Sequence, residues 1–468
     1  MRKARNIYYT LGANILTFIM GIVTGFIIPK FLGIESYAYV KLFTFYITYV
    51  GISHFGFLDG IYIRYGAYDY DEIPKEKFRG YFRYLLVIQI IEAIIMLVIL
   101  KIVMVDIDRS FIMIWVVINM IISNLTTLFA FIHQFTKRFK VFSINLVLNK
   151  LIYVIGSLVF IYCNLLGYKP FIVLQTAINI IILCVYIYIN KELVFGKCES
   201  IRDNISEYIN ITKSGFFIMI GNFMGIFILG LDRLFVDRFF TLNEFSMYSF
   251  AYTLISLFFI LLNSITTVIY PYLARMNRDN SKIVYERIRI ALTSIMSITL
   301  VGYFAIKMII NTYLPKYEAS LPILIFLVPT VIYSAQINIL IINYYKILQE
   351  TKAYTKNNII ALLLGLVTNI VALAMFKSVV SIAAATLISF ALWLLYSDYY
   401  FNKTINVNYK KASFVELLIV IVFIITTSIH NWLLGASIYS GIIIIILFIC
   451  CRNEIKETIN GIRENSKV

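Results

Sequence analysis

The sequence predicts an all-α polytopic membrane protein with about fourteen transmembrane helices. Three observations predict it. First, 61% of the 468 residues are hydrophobic and 14% are charged, with a mean hydropathy of +0.85. A water-soluble chain of this length cannot hide so much apolar surface. Second, apolar runs of about 20 residues, enough to cross the bilayer at about 1.5 Å per residue, recur along the whole chain. Third, basic residues gather in alternate loops. Backbone groups in lipid must be satisfied within each span, so these runs are helices rather than open strands.

In order, the predicted spans are 7–28, 40–63, 81–105, 111–132, 143–166, 170–190, 214–236, 245–270, 290–312, 321–345, 358–377, 379–401, 414–433 and 434–451. The first follows Arg2, Lys3 and Arg5 like a signal peptide. It lacks a small-residue cleavage site and is long enough to span, so it is expected to be retained. Placing the N-terminus in the cytoplasm leaves about thirty of the 41 Lys and Arg inside and about ten outside, as the positive-inside rule requires. The C-terminus then lies inside too. The basic inner loops include Lys137, Arg138 and Lys140, and five basic residues over 275–289. Pro329 within the tenth span is expected to loosen its helix.

Several function classes are set aside by composition. The formal charge of +16 is spread over short loops rather than one face, which argues against nucleic acid. Cys163, Cys184, Cys198, Cys450 and Cys451 have no metal or disulfide spacing. No phosphate-binding loop, metal-ligand cluster or nucleophile constellation stands in the exposed segments, so neither an enzyme nor a cofactor is expected. Any work must draw on an ion gradient (H+ or Na+), the membrane potential or substrate flux. External loops are too short to build the soluble domain of a membrane glycan polymerase.

A repeat appears at an offset of about 208 residues, setting Lys30-Phe31-Leu32 against Arg238-Phe239-Phe240 and Tyr62 against Tyr270. Each unit holds six spans, an even number, so both enter with the same orientation. The expected organisation is a six-helix lobe over 1–200, a second over 201–405, and helices 13 and 14 with a cytoplasmic tail over 406–468. Gly21 and Gly25, and Gly221 and Gly225, have the GxxxG spacing that lets helices approach closely.

Two stretches carry a family resemblance. Ile28-Pro29-Lys30-Phe31-Leu32-Gly33-Ile34-Glu35-Ser36-Tyr37, followed by Phe55-Gly56-Phe57 and Arg64, is one; Leu231-Asp232-Arg233 through Tyr248-Ser249 is the other. They resemble the polysaccharide (O-antigen and capsule) flippase branch of the MOP exporter superfamily, although Ser36 stands where that branch often has Gly. The resemblance implies a MATE-like fold in a bacterial inner membrane. It also implies alternating-access export of a polyprenyl-pyrophosphate-linked oligosaccharide, with membrane lipids and other polysaccharide-assembly proteins (a polymerase, a chain-length regulator) as partners. A lipid II or teichoic-type precursor flippase and a MATE-like drug exporter are the alternatives.

Ionisable residues deep in spans are costly, and therefore functional candidates. Glu92 lies about eleven residues into the third span, His54 about fourteen into the second, and Lys150 about seven into the fifth. His54 can titrate near neutral pH. His54 and Lys150 are expected to contact anionic headgroup oxygens, with Glu92 as counter-ion or proton site and Lys41 lining the outer cavity. Asp59 and Arg64, about 140° apart on a helix, and Asp232 with Arg233 are expected at gates or interfaces. The second half offers amides instead, Asn222, Asn263, Gln336, Asn338 and Asn369, and is expected to handle mostly neutral groups.

Overall fold

The computed structural model describes residues 2–103, 106–199, 204–273 and 280–465, all helices and connecting turns. The helices are α1 (Arg2–Phe31), α2 (Ile34–Ile47), α3 (Phe57–Tyr65), α4 (Lys75–Val103), α5 (Ile107–Phe135), α6 (Phe139–Tyr162), α7 (Tyr168–Ile189), α8 (Lys191–Val194) and α9 (Ile205–Phe239). They continue with α10 (Leu242–Leu273), α11 (Ser281–Thr299), α12 (Gly302–Tyr313), α13 (Leu321–Leu327), α14 (Thr330–Ala335) and α15 (Ile342–Ile347). The last four are α16 (Thr351–Phe376), α17 (Val379–Ile405), α18 (Lys410–Thr427) and α19 (Trp432–Asn465). The side chains of Arg2, Lys3, Arg5 and Asn263, and residues 274–279 of the basic 275–289 segment, lie outside the described residues.

Among the described residues ten helices are long and apolar enough to cross a membrane, or eleven if the bent pair Pro315–Leu327 and Thr330–Ile347 is one span. That corrects the expected fourteen. Span 40–63 is not one helix: it breaks into α2, a 3-10 turn over Val50–His54, and α3. Span 414–433 falls on α18, only 18 residues long and carrying Lys410, Lys411 and Glu416. Span 245–270 falls on α10, where some side chains lie outside the described set. The bend of 49° beside Pro329 is where that residue predicts one.

Helix ends repeat at the expected offset. Helix α1 ends at Phe31 and α2 begins at Ile34; α9 ends at Phe239 and α10 begins at Leu242, each 208 residues later. The repeat is imperfect: α10 runs unbroken where its counterpart breaks, and α4 and α5 run unbroken where the second repeat divides into α11 and α12 and bends beside Pro329.

Contacts divide the chain into residues 1–227 and 228–468, a boundary inside α9. The core of the first unit gathers around α3: Phe57, Leu58, Ile61 and Tyr65 meet Tyr81, Phe129, Tyr208 and Ile211. Outside the spans, Lys75 donates to Glu192 and holds that carboxyl below the usual carboxylate range. In the second unit α16 packs along α17, and the α18–α19 hairpin packs on α11. Three hydrogen bonds help tie the hairpin down: Tyr439 Oη donates to the Ser297 carbonyl at 2.9 Å, and Lys307 Nζ to the Thr427 and Ile429 carbonyls at 3.2 and 2.9 Å. Lys307 thus meets the carbonyls at the end of α18, which a helix C-terminus leaves unpaired.

Candidate functional site

The break between α2 and α3 builds the polar centre of the first unit. Phe55 (φ 49°) and Gly56 (φ 86°) are successive left-handed residues. That conformation costs a non-glycine residue about 1–2 kcal/mol, so the surroundings must hold Phe55 in place. Gly56 has no freedom to be anything larger, since a Cβ there would lie 2.5 Å from Phe216 N. At Gly60 a Cβ would lie 2.0 Å from the Ile211 carbonyl oxygen, and at Gly215 it would lie 2.0 Å from that of Gly56. Helix α3 and the 205–227 part of α9 therefore touch backbone to backbone. The close contact uses Gly56 and Gly60, themselves at GxxxG spacing. Gly221 and Gly225, which share that spacing, face open space instead.

A broken helix in an apolar slab frees backbone carbonyls that need donors. Asn124 Nδ2 donates to the Val50 carbonyl at 3.2 Å, and Gln89 Nε2 to the Ser53 carbonyl at 3.0 Å. The same amides knit a network. Asn124 Nδ2 also donates to Gln89 Oε1 at 2.7 Å and Ser53 Oγ at 2.8 Å, and Gln89 Nε2 to Glu92 Oε2 at 2.9 Å. Glu92 Oε1 is buried without a hydrogen-bond partner. Beside the network, His54 and Asp59 are 8% and 6% exposed, and His54 Nε2 lies 3.8 Å from Asp59 Oδ2. Asn222 Nδ2 donates to Asp59 Oδ1 at 3.3 Å. His54 Nδ1 accepts the Gly56 backbone N–H at 3.1 Å.

Of the expected site residues, the structure brings His54, Asp59 and Glu92 to this break. Lys150 sits apart on an exposed face of α6, and Lys41 lies over the Tyr37 ring at 5.1 Å. Arg64 Nη2 pairs with Glu207 at 3.0 Å, so it does not share partners with Asp59. Glu207 also accepts from Lys77 and Tyr81, tying the start of α9 to α3 and α4. In the second unit Asp232 is buried, accepting from Tyr248 Oη at 2.7 Å and Thr386 Oγ1 at 3.5 Å, while the Arg233 guanidinium lies 3.7 Å from the Tyr252 ring centre.

Gln89, Ser53 and Asn124 were not singled out from the sequence. The available signal was Gln89 three residues before Glu92, on the same helix face. The second unit was expected to handle mostly neutral groups through its amides, and a buried charge cluster there was not singled out from the sequence. Arg289, Asp398 and Glu416 are each at most 1% exposed. Arg289 Nη2 donates to Asp398 Oδ2 at 2.9 Å and to Glu416 Oε2 at 2.9 Å, and Nη1 donates to Glu416 Oε1. Tyr285, Thr293 and Gln336 complete the donors, at 2.6 Å to Asp398 and at 2.7 and 3.2 Å to Glu416. Gln336 opens a π-helical stretch, Gln336–Ile341. The trio fastens α11, α17 and α18 together. Among the described residues no group of three or more His, Cys, Asp or Glu is placed to hold a metal ion.

Solved structures share the fold. The lipid II flippase MurJ in its inward closed conformation aligns with a TM-score of 0.70 at 14% identity, over 97% of this chain and 100% of that one. A MOP superfamily transporter from Pyrococcus furiosus, described by the reversed polarity of its binding pocket, gives 0.56 at 11% identity over 86% and 96%. An outward-facing multidrug resistance MATE family transporter gives 0.51 at 11% over 85% and 96%. No curated protein matches the sequence. The family model described as "polysaccharide biosynthesis protein" matches residues 4–277, more than half of the chain. Sharing its fold with these solved structures, this multi-pass membrane protein belongs to the polysaccharide biosynthesis protein family.

Proposed function

We propose that the protein carries a polyprenyl-diphosphate-linked glycan precursor across the bacterial cytoplasmic membrane by alternating access. The observation that carries this reading is the alignment of nearly the whole chain, C-terminal helices included, with a lipid II flippase. The MATE and archaeal structures cover 85–86% of it, a shortfall about the length of 406–468. That coverage favours a lipid-linked cargo over a drug, and among such cargoes it backs a lipid II-type precursor. An oligosaccharide repeat unit is favoured by the family match and by the residues from Ile28 to Tyr37, Asp232-Arg233 and Tyr248-Ser249.

In this reading the lobes 1–200 and 201–405 rock against each other, both termini face the cytoplasm, and the pair over 406–468 accompanies the second lobe. Glu92 and the His54–Asp59 pair serve as counter-ions or as a proton or Na+ site; Lys150 and Lys41 attract the diphosphate. Arg64, Asp232 and Arg233 act at gates. Glycan-assembly proteins, a polymerase or chain-length regulator, would receive the product.

Deleting the gene should leave the lipid-linked precursor on the cytoplasmic face, and the accumulating species names the cargo: a repeat unit or lipid II. Complementing with the combined His54→Ala, Glu92→Ala, Lys150→Ala variant should restore export at least about tenfold less well than wild type, some 1.4 kcal/mol in a barrier. Normal export by correctly inserted variant protein would remove these residues from the account.

A further inference from the structure

We propose that His54 is a proton-binding site whose occupancy opens the break between α2 and α3. Within the transport reading above, on which this consequence rests, it would be where a coupling proton binds. The inference comes from which ring nitrogen does what. A neutral imidazole carries one N–H. Because Nδ1 accepts the Gly56 N–H at 3.1 Å, the ring proton must sit on Nε2, facing Asp59 Oδ2 at 3.8 Å, beyond direct hydrogen-bond reach. The neutral ring is therefore a latch. It satisfies the amide of the glycine that follows Phe55, and so holds the left-handed pair in place.

A proton taken from water can enter only at Nδ1. An N–H there points at the Gly56 N–H, and two donors cannot share one hydrogen bond. The latch bond is lost, while the new imidazolium is drawn across the gap towards Asp59. No covalent bond changes other than the N–H that forms. The charged group beside the ring is Asp59 from α3; Glu92 from α4 stands at the far end of the Ser53–Gln89 network. Helix α5 contributes Asn124, bonded to Ser53, and α9 contributes Asn222, bonded to Asp59, and neither titrates. Burial opposes the incoming charge, and the acidic Asp59 beside the ring offsets that cost.

The repeat supplies an internal comparison. Ser53, His54, Phe55 and Gly56 correspond, 208 residues on, to Leu261, Leu262, Asn263 and Ser264. That stretch has neither histidine nor glycine, and α10 passes through it as continuous helix. The break and the titratable group occur together in the first repeat and are missing together from the second.

The test is hydrogen–deuterium exchange of the full chain in lipid nanodiscs at about pH 5.5 and about pH 7.5, a range that spans ordinary histidine titration, with times scaled for intrinsic chemistry. Peptides covering 50–60 should exchange at least about tenfold faster in wild type at the lower pH, the equivalent of about 1.4 kcal/mol. In His54→Asn the side-chain Oδ1 can take the place of Nδ1 as acceptor and does not titrate; its exchange should match at both pH values. Peptides from α16 and α17 report whether the variant is folded. If it is not, the wild-type comparison decides alone. Exchange in wild type that ignores pH overturns the proposal, as does an unchanged pH response in His54→Asn. No substrate is present, so a negative result here leaves the transport reading standing.

Discussion

Replacing Gly60 with alanine should abolish most of the folded protein, although it adds a single methyl group. Its Cβ would stand 2.0 Å from the Ile211 carbonyl oxygen, and both partners are backbone. A flexible side chain could swing away from such a clash; a helix carbonyl cannot. Overpacking in side-chain cores costs about 1–3 kcal/mol, and separating two helices that touch through their backbones should reach or exceed the top of that range. Gly221→Ala is the matched control: it is the same substitution, 10 residues beyond Ile211 on the same helix, with nothing within 4 Å of the new Cβ. It should stay within about 0.5 kcal/mol of wild type. Thermal unfolding of detergent-purified protein reads both, and equal melting temperatures for the two variants would contradict the backbone contact.

The second large effect is expected at Arg289. Removing the guanidinium with Arg289→Met leaves Asp398 and Glu416 buried without a cation. Breaking a buried pair by deleting one partner costs about 3–5 kcal/mol, because the remaining charge is desolvated and unpaired. The helix most affected should be α18, which this trio joins to α11 and α17. Converting all three residues together, as Arg289→Met, Asp398→Leu and Glu416→Leu, should recover much of the loss, since apolar neighbours carry no desolvation penalty. Limited proteolysis near the start of α18 with a melting curve distinguishes the cases. A single variant as stable as wild type would mean the trio does not fasten the hairpin.

Much of the architecture is legible because lipid imposes one rule on every span. Long apolar runs mark helices, and the repeat offset matches helix ends to the residue at Phe31 and Phe239. The bend beside Pro329 is legible for the same local reason, a missing amide hydrogen. What escapes the sequence is whatever depends on which face meets which neighbour. The run 40–63 is apolar for most of its length, and nothing in its periodicity reports that Phe55 adopts a left-handed backbone. Three GxxxG spacings exist around the first two spans and α9, and spacing does not say that Gly56 and Gly60 make the contact while Gly221 does not. Glu92 and His54 stand out as charges in apolar context. Gln89 and Asn124, which satisfy the broken helix, are neutral and look like ordinary stitching amides. Arg289 reads as one more loop cation because its partners lie 109 and 127 residues away in sequence.

These features have a common physical theme. Each place where the chain departs from plain apolar helix is compensated by named groups: amides at the freed carbonyls, a glycine pair at the close contact, a guanidinium between two carboxylates. In the first unit the compensation leaves Glu92 Oε1 without a partner and His54 short of Asp59. In the proposed transport cycle these are the groups that would respond to an ion or a cargo.

The most direct measurement is transport by the purified protein. Vesicles carrying the protein would be loaded on one leaflet with a polyprenyl-diphosphate-linked oligosaccharide bearing a labelled sugar, and the label's exposure to an external glycosidase would be followed in time. The account predicts that vesicles with protein expose the sheltered pool while protein-free vesicles do not. Glycolipid that stays sheltered while the same vesicles move a cationic drug would contradict it.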